Sequence, residues 1–154
     1  MPGAPSSSPE ERHSVSGASE VVALQVRARE FAAAAGLGRV GQWELAIAVS
    51  EAVTNMIKYG GGGELILRRG EHPRPFVEFE ARDRGRGIPS ISDALVDNIS
   101  EGEDAREASD PRRRRGLGLG LGAIQWLTDE VEIQSEPGVG TTLRARKWIS
   151  GSGR

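Results

Sequence analysis

The chain has 154 residues, with 20 Lys plus Arg against 22 Asp plus Glu and a net charge of -2. That length suits one domain with a real core, and the near-balance of charge removes the global basic field expected of a nucleic-acid binder. Zero cysteines exclude disulfides, thiol nucleophiles and cysteine metal sites, and no apolar run approaches the ~20 residues of a membrane-spanning helix.

Residues 1–17 are rich in Pro, Ser and Gly and lack periodicity, so they predict a disordered N-terminal arm. No charged start followed by an apolar core marks a signal peptide, and a cytoplasmic location is the expectation. The stretch "SEVVALQVRAREFAAAAG" has helical spacing and stops at Gly36; "VGQWELAIAVSEAVTNMIKYG" predicts a second helix closed by the glycines at 60–63. Two strands follow, "ELILRR" and "PFVEFEARD", the latter with Val77, Phe79 and Ala81 on one face. Residues 88–115 lose strong periodicity, and a segment this long in a compact domain reads as a lid, a binding segment or disorder. A third helix over about 117–128 leads to a hairpin of "EVEIQSE" and "TTLRARKW" around "PGVG". The fold class is therefore α+β, a two-layer sandwich of about three helices on a mixed, mostly antiparallel sheet. The folded unit is expected over 18–149, with a lid at about 90–116 and a flexible tail at 150–154.

Four stretches carry chemistry. On the second helix Ser50, Glu51, Thr54 and Asn55 make a polar stripe, either a solvated face or a site. In the second case Glu51 is a carboxylate able to deprotonate a hydroxyl, Asn55 an amide oxygen able to bind a hard cation, and Lys58 a phosphate contact. In "DRGRGIP" Asp83 shares the parity of the inward strand residues, so it is either a buried carboxylate needing partners or the opening of a turn. Gly85 and Gly87 would let a flat ligand approach the main chain, and the carboxylate could accept from an exocyclic amine such as that of adenine. In "RRRRGLGLGLG" the alternate glycines at 116, 118 and 120 precede a helix and either present bare N–H groups to phosphate or form a flexible hinge. Neither a GxxxxGK[ST] loop nor a GxGxxG fingerprint is present. The fourth, "PGVGTTL", places Thr141 at the start of a strand and by itself reads as an ordinary hairpin.

Read in order, "EAVTN", "DRGRGIP", "GLGLGLG" and "GVGTT" resemble the nucleotide-binding boxes of the ATPase superfamily that includes gyrase, histidine kinases and MutL. Within it the chain resembles the anti-sigma-factor serine/threonine kinases, and especially the RsbT-type switch kinases, over roughly residues 20–149. The resemblance implies a histidine-kinase-like ATPase fold with a lid, and ATP with Mg2+ as cofactors. It makes Glu51 the general base, Asn55 the magnesium ligand and Lys58 a phosphate contact. Asp83 becomes the adenine-amine acceptor, Gly85 and Gly87 shape its pocket, Thr141 assists beside the base, and Gly116, Gly118 and Gly120 form the phosphate-binding end of the lid.

The two histidines, His13 and His72, lie in the expected arm and in an expected turn, so phosphate should pass to a partner. The family implies a STAS-domain antagonist or stressosome-like scaffold protein phosphorylated on Ser or Thr, together with a PP2C-type phosphatase or a sigma factor as binding partners. No nucleic acid and no membrane are expected. A homodimer through residues 20–35 is one reading of that amphipathic stripe, core packing the other. A non-catalytic, nucleotide-gated anti-sigma factor is the rival function. The run Arg112–Arg115 has no firm role.

Overall fold

The computed structural model describes residues 9–85 and 120–150. Five strands, β1 (Glu10–Val15), β2 (Gly63–Gly70), β3 (Phe76–Asp83), β4 (Glu130–Glu136) and β5 (Gly140–Trp148), form one sheet in the order β1-β2-β3-β5-β4. Every pairing among the described strands is antiparallel. Three helices, α1 (Val21–Ala35), α2 (Arg39–Gly60) and α3 (Leu121–Leu127), supply the second layer.

The layering follows from the two periodicities. α1 buries Leu24, Ala28, Phe31 and Ala32, one stripe at helical spacing, and α2 buries Leu45, Ala48, Val49, Ala52, Val53 and Met56. Opposite them, alternate strand residues Leu65 and Leu67, Val77, Phe79 and Ala81, and Leu143 and Ala145 complete a single core cluster. Gly36 ends α1 in the left-handed conformation at φ 98°, its N–H bonding to the carbonyls of Ala32 and Ala33. α2 is the central helix: it packs against α1, α3 and β3, and so carries its side chains into the middle of the molecule.

One expectation is corrected. Residues 10–15, assigned by composition to a disordered arm, form β1, paired with β2 from Glu10 opposite Arg68 to Val15 opposite Gly63. Its burial alternates, with Glu11 and His13 half-buried and Val15 buried, but the inward residues before Val15 are polar, so no apolar alternation announces it. Its hold on the domain comes from main-chain pairing and from ion pairs: Arg68 Nε to Glu10 at 2.9 Å, Arg12 Nη1 to Glu64 at 2.7 Å, and Arg27 of α1 to Glu11. Those arginines keep the Glu10 and Glu11 carboxyls below the ordinary range. Glu20 then accepts from the Ser16 hydroxyl and main chain and from the Gly17 N–H, which fixes the entry into α1 and lowers its carboxyl as well.

Candidate active site

Asp83 is the last residue of β3 and sits in register between Gly63 and Thr141. Both readings of it hold in part: it shares the inward face of the strand, is half-buried, and leads into a turn. Its Oδ1 accepts the Gly85 N–H at 2.9 Å and the Thr141 N–H at 3.3 Å. Two main-chain donors thus hold one oxygen, and among the described residues Oδ2 is left facing no donor. The end of α2 closes against this carboxylate so tightly that a Cβ on Gly60 would fall 2.5 Å from Asp83 Cβ and Cγ. A Cβ on Gly85 would fall 2.3 Å from the Gly60 Cα. Only bare main chain fits at this seam, and Gly60, which the sequence suggests only as a helix terminator, is seated against Asp83.

Further back on α2, Glu51 and Asn55 are half-buried one turn apart, and Lys58 follows on the same face, exposed, with its ammonium 5.8 Å from the Tyr59 ring centroid. The polar stripe divides here. Ser50 and Thr54 turn their hydroxyls onto the helix itself, donating to the carbonyls of Ile47 and Ser50 at 2.7 Å each, whereas Glu51 reaches another element. That element is the start of α3. Gly120 caps it at φ 67°, and a Cβ there would lie 2.6 Å from Glu51 Oε2.

Two clusters result, Asp83 with Gly60, Gly85 and Thr141, and Glu51 with Asn55 and Gly120. From Glu51 to Gly60 is ~13 Å along the helix axis at ~1.5 Å per residue, a span for an elongated ligand with different chemistry at its two ends. The Asp83 end offers a carboxylate oxygen against glycine main chain, suited to a flat ring bearing an amine. The other end offers a carboxylate, an amide and a helix start. Among the described residues no group of three or more His, Cys, Asp or Glu could cage a metal ion. Asn55 beside Glu51 is a partial oxygen set, which fits a cation that keeps water and phosphate oxygens as its other ligands. Thr141 places its hydroxyl 2.8 Å from that of Ser135, so it meets Asp83 through its main chain.

A model of the histidine kinase-like ATPase domain matches residues 16–147. The chain belongs to this family. The serine/threonine-protein kinase RsbT of Bacillus subtilis (strain 168) is 30% identical over 84% of this chain and 90% of that protein. The anti-sigma F factors of Thermoanaerobacter sp. (strain X514) and Halalkalibacterium halodurans are each 31% identical, over 69% and 71% of this chain and 69% and 70% of their own lengths. A solved histidine kinase domain from Erythrobacter litoralis EL346 overlaps with a TM-score of 0.46 at 19% identity, covering 84% of this chain and 61% of that one.

Within this ATPase domain the structure brings together six of the expected residues in two groups: Asp83, Gly85 and Thr141, and Glu51, Asn55 and Gly120. Lys58 points along the same helix face without joining either. Gly87, Gly116 and Gly118, the expected lid over 90–116 and Arg112–Arg115 lie outside the described residues, as do 1–8 of the expected arm and 151–154 of the expected tail. His13 lies in β1, 3.3 Å from Glu11 Oε2. No helix among the described residues is long and apolar enough to cross a membrane.

Proposed function

We propose that this chain is an ATP-dependent serine/threonine protein kinase of a partner-switching pathway, acting in the cytoplasm on a STAS-domain antagonist or stressosome-like scaffold protein. Its output is control of a sigma factor or of a PP2C-type phosphatase. The observation that carries the reading is the contact between Glu51 and Gly120: a carboxylate on the central helix meets the start of α3, ~13 Å along α2 from a second carboxylate held by main-chain amides. The similarity to proteins named as a serine/threonine-protein kinase and as anti-sigma F factors supports it.

In this reading Asp83 accepts the adenine amine, Gly60 and Gly85 give the ring access to the main chain, and Thr141 orients Asp83. The N–H groups at Gly116, Gly118 and Gly120, with Lys58, bind phosphate oxygens. Asn55 would hold Mg2+ through its amide oxygen, and the ion would supply neutralisation of the phosphate charge. Glu51 takes the proton from the acceptor hydroxyl as that oxygen bonds to the γ-phosphorus and the bond to the ADP oxygen breaks. Alignment and charge placement are nearly all that phosphoryl transfer asks of a protein.

The test is transfer from Mg-ATP to a STAS-domain protein by wild type and Glu51→Ala. Loss of the general base should slow transfer by ~10²-fold or more while Mg-ATP binding survives. Equal turnover in the variant would remove Glu51 from the chemistry. A wild type that binds nucleotide and a sigma factor yet transfers nothing would establish the rival reading, a nucleotide-gated anti-sigma factor, which the similarity to anti-sigma F factors favours.

A further inference from the structure

Lys147 is the last residue on the helix-facing side of β5, after Leu143 and Ala145, and lies in register with Val77. An ammonium at the end of an apolar row is costly to bury unless acceptors meet it, and this residue is only 7% exposed. Two acceptors do. Its Nζ donates to the main-chain carbonyl of Leu127 at 2.9 Å and stands 3.6 Å from Glu44 Oε1 on α2. Leu127 is the last residue of α3, and its carbonyl is one of those a helix end leaves without an internal partner. A cation is also favoured at that end by the helix dipole. The buried Thr128 completes the arrangement, its hydroxyl donating to the Ile124 carbonyl at 2.6 Å. An apolar residue at 147 would fill the volume and leave the Leu127 carbonyl unmet.

The consequence lies at the opposite end of the same helix. α3 has seven residues and buries only Leu121 and Ile124, so it is too short to hold its own geometry and takes its position from its attachments. Its first turn begins at Gly120, the residue seated against Glu51. Holding the C-terminal end therefore sets where the N-terminal end meets the carboxylate.

We propose that Lys147 is a positioning residue for phosphoryl transfer: it joins the Leu127 carbonyl to Glu44, clamps α3 between β5 and α2, and so sets the seat of Gly120 on Glu51. This rests on the kinase reading above for its functional part, while the clamp itself is independent of it. Sequence reasoning missed it because a lysine near the end of a strand reads as a solvated charge; what revealed it is its place in the inward series.

The test uses the full chain with Lys147→Met, which keeps the length and removes the donor, and Lys147→Arg, which keeps a donor. Amide hydrogen exchange should show protection of residues 124–127 falling by about tenfold in the Met variant, with α1 and β2 unchanged, and recovering in the Arg variant. Transfer to the protein acceptor should lose about 10- to 100-fold in kcat with KM for Mg-ATP little changed, because misplacement near the reacting groups costs turnover before binding. Wild-type protection of α3 in the Met variant, or a loss spread evenly over the domain that Arg does not rescue, overturns the clamp. A clamp confirmed by exchange but with unaltered kcat overturns the positioning role. Should Lys147→Met not fold, Glu44→Gln tests the same node from α2, and an unchanged α3 there overturns it equally. If the wild type transfers no phosphate, the kinase reading has failed and the positioning role with it, while the exchange pattern still decides the clamp.

Discussion

Strand β3 carries three acidic residues that meet opposite fates, Glu78 and Glu80 on the outer face of the sheet and Asp83 at its end. The outer face is an alternating row across all five strands, Glu10, Arg68, Glu78, Arg146 and Glu130, in direct register. Glu78 receives Arg146 at 2.6 Å and Arg68 at 3.4 Å, and Glu80 receives Arg68 at 3.3 Å as well as Arg82. These arginines lie over the sheet so completely that both glutamates, and Ile66 in register with Glu80, are buried on a face that no helix among the described residues covers. Among the described residues Asp83 meets no arginine: main-chain amides hold one oxygen and glycines crowd its stem. At Glu78 side-chain cations meet both carboxylate oxygens, whereas at Asp83 main-chain donors hold one oxygen and, among the described residues, leave the other without a donor. The same chemical group is thus structural in one place and available in the other, five residues apart.

The sharpest way to break the comparison is to make each carboxylate an amide. Asp83→Asn turns an NH2 either toward the Gly85 and Thr141 amides or toward the ligand's own donor, so calorimetric titration should show Mg-ATP affinity reduced on the order of 10²-fold. Glu78→Gln should leave that titration unchanged and instead lower unfolding free energy by about 1–3 kcal/mol in urea, since it strands arginines that remain one-fifth exposed. Reversed outcomes would mean that Asp83 is the structural group. Gly60→Ala is intermediate: its methyl would drive into Asp83, costing about 1–3 kcal/mol by overpacking and weakening nucleotide binding in the same protein. An alanine here that melts and binds like the wild type would show that the seam has slack.

The smallest effect concerns the edge that continues the arginine mesh. Glu10, Glu11 and Glu20 all have carboxyls lowered from 4.5 by their partners, Arg68 first for Glu10, Arg27 for Glu11 and the Ser16 hydroxyl for Glu20. A lowered folded value means stabilisation that is present above the unfolded value near 4.5 and lost as pH falls through the folded ones. Acid titration followed by NMR should therefore release β1 from β2 below about pH 4.5 while the β2–β3 pairing persists. Loss of both pairings together would assign β1 to the core cooperative unit.

Most of the layering was legible in the sequence because it rests on repeated apolar spacing, which is a property of the chain itself. α1, α2 and the strands β2, β3 and β5 fall where 3.6- and 2-residue periods put them. β1 was illegible for a physical reason: "EERHSV" is held by partners 52 to 58 residues away, Glu64 and Arg68, and by Arg27, none of which leaves a local pattern. The candidate site divides the same way. Glu51, Asn55, Asp83 and the glycine at 120 could be named from residue type and order. The tertiary structure decided which of the polar residues on α2 turn back on the helix, that Gly60 is seated on Asp83, and that a buried lysine on the last strand grips the end of α3. Close approach and shared carbonyls arise between segments distant in the chain, and periodicity records only what each segment does alone.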